Sequence, residues 1–171
     1  MKRTLLVATV AALAGCQSIP SDAPRANANL QPTQNGKATG TVDFYQIGDK
    51  VRVVAHVGGL VPGRQHGFHI HEAGDCSSGD GMSAKGHFNP HGKPHAHFAT
   101  PDRHAGDMPA LAADSSGNAT LETDLDVITV TAGPASVVGR GLIVHADPDD
   151  YKTQPTGNAG ARIGCAVIQR R

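Results

Sequence analysis

Apolar and polar residues alternate with a period of two along most of this chain, which is the pattern of β-strands that bury one face. Turn sequences such as IGDK, GGLVPG and DSSGN separate the alternating runs, and no segment carries the stripe of an amphipathic helix. The inward positions of the runs are Val42 and Phe44; Val51, Val53, Ala55 and Val57; Leu121, Thr123 and Leu125; Leu142 and Val144; and Ile163, Cys165 and Val167. We therefore expect an all-β fold, built as an antiparallel sandwich or barrel.

Length and composition agree with this fold class. A chain of 171 residues suits one domain with its own core. Its 21 glycines, 11 prolines and 18% charged residues describe short strands and many turns, not a helical bundle. The formal net charge of zero argues against a nucleic-acid-binding protein.

The N-terminus has the features of an export signal. Lys2 and Arg3 precede a short apolar run, which is too short to span a bilayer. The run ends in LAGC, which resembles the lipobox of bacterial lipoproteins and implies that residues 1–15 are removed and that Cys16 is acylated. An ordinary cleaved signal with an incidental cysteine is the alternative. Gln17 at the next position resembles outer-membrane sorting, so we expect a lipid-anchored protein on the periplasmic side of the bacterial outer membrane.

The segment after the signal differs in composition from the rest of the chain. Residues 16–36 are rich in Ser, Pro, Asn and Gln and contain few apolar side chains. Such a composition is typical of a flexible tether. We therefore predict a tether over residues 16–36 and a folded domain over residues 37–171.

Two cysteines remain once Cys16 is assigned to lipidation. Cys76 and Cys165 are expected to form a disulfide, because an exported protein folds in an oxidising compartment. Closing so long a loop would stabilise the fold by about 4 to 5 kcal/mol. The alternative, a thiolate metal site, lacks the usual close spacing of cysteines.

Two long segments, 72–109 and 146–161, interrupt the strand pattern. Both are rich in Gly, Pro, His and Asp and poor in apolar residues. Structureless segments of this length in a compact domain are commonly functional loops or are disordered. Metal ligands and the disulfide would supply the order that their composition does not.

Histidine is concentrated in one part of the chain. Eight of the ten histidines lie between His66 and His104. In GFHIHE, His69 and His71 share one face of a predicted strand, because residues two apart in a strand point the same way. Two neighbouring imidazoles suggest a metal site, and a solvated histidine-rich loop is the alternative.

The motifs GFHIHE, GHFNP, RHAGDMPAL, GLIVH and GNAGARIGCAVI together resemble those of the copper,zinc superoxide dismutase family. They occur in the family's order and spacing, and the resemblance runs from about Lys37 to the C-terminus. It implies an eight-stranded antiparallel Greek-key β-barrel or sandwich with two long functional loops. It also implies copper and zinc as cofactors.

The resemblance also assigns the residues of the site. It implies copper ligation by His69, His71, His87 and His145, and zinc ligation by His87, His95, His104 and Asp107. His87 would bridge the two metals and take part in proton transfer, and Arg162 would dock the anionic substrate beside copper. Asp149 would link His69 to His95 from behind the ligands, since metal-bound imidazoles usually donate their other N–H to such a group.

The implied reaction is the dismutation of superoxide to oxygen and hydrogen peroxide, with copper alternating between Cu(II) and Cu(I). Such an enzyme would protect the periplasm against superoxide. The segment between His145 and Arg162 is shorter than in the animal enzymes, and Lys152 is a candidate cation for steering the substrate. Bacterial members differ from the animal dimer in their subunit contacts, so a monomer and a homodimer both stay open.

Other interpretations of the histidines remain at this point. His91 and His97 are surplus to the ligand set, and His97 could replace His95 as a zinc ligand if the loop shifts. The surplus also fits a non-catalytic periplasmic copper- or zinc-binding protein of the same fold, and an adhesion-type sandwich is the remotest alternative. His56 and His66 are expected to have structural roles.

Overall fold

A computed structural model describes residues 19–171, so the predicted signal peptide and Cys16 lie outside the described residues. Within residues 19–171, no helix has both the length and the apolar character needed to cross a membrane. The strands are β1 (Arg25–Pro32), β2 (Thr39–Ile47), β3 (Lys50–Gly58), β4 (Gln65–His66), β5 (Phe68–His71), β6 (Leu111–Ala112), β7 (Ala119–Leu125), β8 (Gly141–His145), β9 (Arg162–Val167) and β10 (Gln169–Arg170). The helical content of this part of the chain is one short 3₁₀ turn, Met82–Ala84.

All the pairings between these strands are antiparallel. The main sheet has the order β5-β8-β9-β1-β2-β3-β7, with β10 also paired to β1, and β4 pairs with β6 separately. Strand β1 joins the two layers, because residues 25–30 pair with β2 whereas Gln31 and Pro32 pair with β9. The chain crosses from β3 to β5 at the far end of the order, as in Greek-key connections. The predicted all-β antiparallel fold is therefore confirmed.

The core lies between the two layers and contains most of the predicted inward positions. The exceptions are Thr123 and Val167, which are only half-buried, and Cys165, which packs in a separate small cluster while its neighbour Ala166 faces the core. Val51, Val53 and Ala55 of β3 are fully buried, while the alternate residues Arg52 and Val54 are less so. Burying each large apolar side chain contributes about 1.5 to 3 kcal/mol, so the alternation supplies much of the driving force for the sheet.

Strand β1 corrects the prediction of a flexible tether over residues 16–36. Ala26, Ala28 and Leu30 are at most 1% exposed and alternate with polar residues that face outward. Two of the three inward side chains are alanines, which contribute little apolar area, so the alternation among Asn and Gln residues gave a weak signal. Strand β1 contributes to the fold through its position, because it fills the gap between β2 and β9. The folded domain therefore includes Arg25, well before residue 37.

The two predicted loops are confirmed as segments without strands. Loop 72–109 nevertheless lies along β5, because the Ile70 N–H donates to Gly106 O at 3.0 Å and the Phe88 N–H donates to Ile70 O at 2.8 Å. A Cβ at Gly106 would stand 2.1 Å from Ile70 O, so only glycine permits this approach. The loop therefore acts as an irregular partner strand that covers the histidine face of β5.

Candidate metal centre

Strands β5 and β8 bring three of the predicted ligands together. The two strands pair antiparallel, with His69 opposite Ile143 and His71 opposite Gly141. His145 ends β8 and lies opposite Arg162 of β9, next to a bulge in the register. Phe68 and Ile70 point into the core on the other face of β5, and the histidine face is equally buried, because the loops close over it.

Four imidazoles form the first group of potential ligands, called here the four-histidine group. One nitrogen from each ring lies within 4.8 Å of the others in the set His69, His71, His87 and His145. The rings of His69 and His87 are 4.0 Å apart between centroids, and those of His69 and His145 are 5.0 Å apart. Neutral nitrogen donors in this number suit copper.

The hydrogen bonds of these rings show which atoms are left for a ligand. His69 Nε2–H donates to Asp149 Oδ2 at 2.7 Å, His71 Nδ1–H to Lys85 O at 2.9 Å, and His145 Nδ1–H to Gly160 O at 3.2 Å. The opposite nitrogens, His69 Nδ1, His71 Nε2, His87 Nε2 and His145 Nε2, are buried and have no hydrogen-bond partner among the described residues. Four orphaned buried acceptors in one place are costly unless something binds them. They fit a metal ion with affinity for imidazole.

A second group shares His87 with the first and is called here the mixed group. It consists of His87, His95, His104 and Asp107, again with one donor atom from each within 4.8 Å of the others. Asp107 Oδ1 accepts from His87 Nδ1 at 2.9 Å and from His95 Nδ1 at 2.9 Å, and it lies 3.5 Å from His104 Nδ1. Three nitrogens and one oxygen, all buried, are a ligand set typical of structural zinc.

His87 therefore belongs to both groups through opposite nitrogens. Its Nδ1 points to Asp107 in the mixed group, whereas its Nε2 is one of the unpartnered atoms of the four-histidine group. Burial, followed by the nearby His69, lowers the pKa of His87 to about 3. The ring is thus neutral at physiological pH, as a metal ligand must be.

The two groups differ in the protonation of their histidines. Burial lowers the pKa values of His71 and His145 well below the usual value, so those rings are neutral. Burial also acts on His95, but hydrogen bonds to Asp107 and Asp149 outweigh it and raise the pKa of that ring to about 9. The metal-free mixed group therefore holds a proton that a metal ion would replace.

Asp149 lies behind both groups and contacts the two rings that the family resemblance implied. Its Oδ2 accepts from His69 Nε2–H, and its Oδ1 accepts from His95 Nε2–H at 3.0 Å and from the Tyr151 N–H at 2.7 Å. Burial would raise the pKa of Asp149, but these hydrogen bonds, first that from His69, hold it well below its usual range. One carboxylate thus orients a ring of each group.

Arg162 is buried at the edge of a cavity of about 390 Å³, called here the Arg162 cavity. The cavity is lined by Asn35, Asp80, Met82, His145, Thr156, Gly160, Ala161 and Arg162. Arg162 Nη1 donates to Gly81 O and Nη2 donates to Lys85 O, each at 2.6 Å. A fixed guanidinium therefore stands in the same cavity as a ring of the four-histidine group.

The disulfide restrains the loop segment that contains Gly81 and Lys85, whose carbonyl oxygens accept from Arg162. Cys76 and Cys165 are bonded, as predicted, and join loop 72–109 to β9. Because Arg162 starts β9 and its partners Gly81 and Lys85 lie in the loop, the disulfide restrains both sides of the contact.

The remaining histidines lie outside both groups. His66 is buried, with Nδ1–H donating to His145 O and Nε2 accepting from the Val61 N–H, which is the expected structural role. His56 and His91 are exposed, and His97 is exposed beside Phe98 and Tyr151. The structure thus places His95 in the mixed group and His97 at the surface.

Sequence reasoning missed two supporting contacts. The carbonyl of Lys85 accepts from both His71 and Arg162, and the side-chain amide of Gln154 pairs with the backbone of His95. A backbone carbonyl has no signature in the sequence. Gln154 stands in a turn-rich segment where a polar residue is expected in any case.

Comparisons with known proteins agree with this geometry. Residues 38–168 match the family model described as "Copper/zinc superoxide dismutase (SODC)". The chain is 38% identical over 149 residues to superoxide dismutase [Cu-Zn] 2 of Aquifex aeolicus, covering 85% of this chain and 86% of the relative. It is 42% identical over 139 residues to the superoxide dismutase [Cu-Zn] of Paramecium bursaria Chlorella virus 1, covering 78% and 73%. The solved structure of the clock protein EA4 matches with a TM-score of 0.77 and 35% identity, over 92% of this chain and 99% of that one.

Proposed function

Because this chain belongs to the copper/zinc superoxide dismutase family, we propose that its four-histidine group holds copper and its mixed group holds zinc. The enzyme is an oxidoreductase that converts superoxide to oxygen and hydrogen peroxide. The observation that carries the ligand assignment is the set of four buried, unpartnered imidazole nitrogens, one from each ring of the four-histidine group. When bound, copper supplies one-electron redox chemistry, and zinc, surrounded by four protein ligands, supplies structural order.

The chain contributes charge at the Arg162 cavity. Arg162 carries a permanent cation, held by two backbone carbonyls in a cavity that His145 also lines. A small anion entering this cavity would be attracted and oriented there. Asp80 lines the same cavity, so the local field is smaller than the arginine alone would give.

His87 is the proposed proton carrier. Its Nε2 faces the four-histidine group without a partner among the described residues, while its Nδ1 is engaged with Asp107. In the overall reaction, one superoxide gives up an electron and a second accepts it with two protons. Once Nδ1 has given up its own proton to bind zinc, Nε2 could carry one proton on a neutral ring. We therefore assign one of the two protons to His87 Nε2 and take the other from water, so that the product leaves as neutral hydrogen peroxide.

Activity of the metal-loaded protein tests this function. We expect purified chain loaded with copper and zinc to consume superoxide faster than an equal concentration of free copper, with the rate falling as salt screens the cavity. Arg162→Ala should lower the rate while leaving the Cu(II) spectrum intact, because the arginine is not a proposed ligand. A loaded protein no faster than free copper would contradict the proposal.

We further propose that the protein is an exported lipoprotein whose acylated Cys16 anchors it to the periplasmic side of the bacterial outer membrane, where it removes superoxide. The support is the sequence of the first 17 residues, with its cations, short apolar run and LAGC motif. Cys16→Ser should release the protein from the membrane fraction and abolish labelling by a radioactive fatty acid. A variant that stays with the membrane would overturn the anchor.

Whether the protein is a monomer or a homodimer is the second question about its association, and the sequence leaves both open. Analytical ultracentrifugation of the domain released from the membrane tests it directly. A mass twice that of one chain supports the homodimer, and a mass of one chain rejects it.

A further inference from the structure

Gln154 joins the two long loops through the backbone of a proposed zinc ligand. The His95 N–H donates to Gln154 Oε1 at 2.9 Å, and Gln154 Nε2 donates to His95 O at 2.7 Å. The side-chain amide therefore pairs with His95 much as a neighbouring strand would. A single side chain can do this only if it both donates and accepts, which an amide does.

His95 depends on such support because no strand carries it. Its ring is held by Asp107 at Nδ1 and by Asp149 at Nε2, and its backbone by Gln154. Asp149 and Gln154 both belong to loop 146–161, so this loop fixes both the ring and the peptide of a residue in the other loop.

The same loop shapes the Arg162 cavity. Thr156 and Gly160 line that cavity, and Gly160 O accepts from His145 Nδ1–H. There is little slack between the loops at this point, because a Cβ at Gly157 would stand 1.9 Å from Asp149 Oδ1 and 2.6 Å from His95 Nε2. A shift of His95 must therefore displace residues of loop 146–161 as well.

We propose that Gln154 is a positioning residue that couples zinc in the mixed group to the shape of the Arg162 cavity. This rests on the zinc assignment made above. Zinc would fix the ring of His95. The two hydrogen bonds between Gln154 and the His95 backbone would then restrain the segment that carries Thr156 and Gly160. Zinc occupancy thus influences how well a small anion is held beside copper, although zinc takes no part in electron transfer.

Gln154→Glu is the sharpest variant for a test. It keeps the size of the side chain and one acceptor for the His95 N–H, but it replaces the donor with an oxygen that faces His95 O. Gln154→Ala removes both contacts without introducing charge, and Gln169→Glu, at an exposed position of β10, is the matched control for the added charge. Amide hydrogen exchange in β3 and β8 checks that each variant is folded.

The experiment measures zinc affinity by competition with a chromophoric chelator, and azide affinity of the Cu(II) protein with and without zinc by optical titration. We expect wild type and Gln169→Glu to bind zinc equally and to bind azide more tightly when zinc is present. Both Gln154 variants should bind zinc about 10-fold more weakly. Their azide affinity should no longer respond when saturating zinc is added.

Wild-type zinc affinity in both Gln154 variants, or an azide affinity that still responds to zinc, would overturn this inference alone. A wild-type chain that binds no zinc would instead overturn the zinc assignment, and the inference with it.

Discussion

The two ligand groups share a ring and differ in what holds the rest of them. The four-histidine group takes three of its rings from the strand pair β5 and β8, and backbone carbonyls orient His71 and His145. The mixed group takes all its members from loop 72–109, and carboxylates orient them. A sheet register is set by the whole fold, whereas a loop geometry depends on a few local contacts.

This difference predicts different behaviour without metals. The barrel positions three rings of the four-histidine group, and the unpartnered nitrogens of all four rings lie close together without an ion. Burial lowers the pKa values of His71, His87 and His145, so these rings are neutral. In the mixed group, hydrogen bonds raise the pKa of His95 to about 9, so without a metal this ring carries a positive charge. We expect the first group to be preorganised and the second to be completed by zinc.

The largest effect is expected from removing the shared ring. His87→Ala should abolish superoxide consumption, lower zinc affinity by more than about 100-fold and change the Cu(II) electron paramagnetic resonance spectrum, because one ring serves both groups. His91→Ala, an exposed histidine of the same loop, is the control and should change none of these. Unchanged zinc affinity in His87→Ala would refute the shared ring.

Removal of zinc tests the difference between strand and loop directly. We expect a zinc chelator to raise amide exchange over residues 87–107 by at least about 10-fold, because the loop then loses the ion that links its ligands. Strands β3 and β8, which pair with other strands, should keep their protection. Hydrogen-exchange mass spectrometry of the metal-loaded and chelated protein measures this. Equal loosening of the strands and the loop would contradict the comparison.

A smaller effect is expected at the link between the groups. Asp149→Asn keeps the size of the side chain but removes the charge that holds His69 and His95, so zinc affinity should fall by about 10-fold. The Cu(II) spectrum should change less than in His87→Ala. Asp150→Asn is the neighbouring control, because the Asp150 side chain accepts hydrogen bonds from the turn residues Lys152 and Thr153. Equal effects of the two variants would argue against a specific link through Asp149.

The smallest effect is expected at the rejected alternative ligand. His97→Ala should leave zinc affinity within about twofold of wild type and change stability by no more than about 0.5 kcal/mol, because His97 is exposed outside the mixed group. His95→Ala should be far more damaging in the same chelator competition. If the two variants weakened zinc binding equally, the assignment of His95 would be wrong.

The sequence predicted those parts of the molecule whose side chains carry a distinct chemical or periodic signal. Alternating valines identified β3, and the resemblance to a known family, carried by the histidine-containing motifs, implied the residues that the structure brings together. Strand β1 was not predicted, because alanines alternating with asparagines resemble a polar linker until their neighbours in the sheet are known. The contact from Gln154 to His95 escaped because it depends on where two loops meet in space.

The carbonyl oxygen of Lys85 has a consequence for how this enzyme can vary. It accepts hydrogen bonds from both His71 and Arg162, so the ring proposed as a copper ligand and the arginine proposed to hold the anion are fixed by one peptide unit. The Lys85 side chain, by contrast, is exposed. A substitution at Lys85 can therefore change the charge of the surrounding surface while the spacing between His71 and Arg162 stays the same.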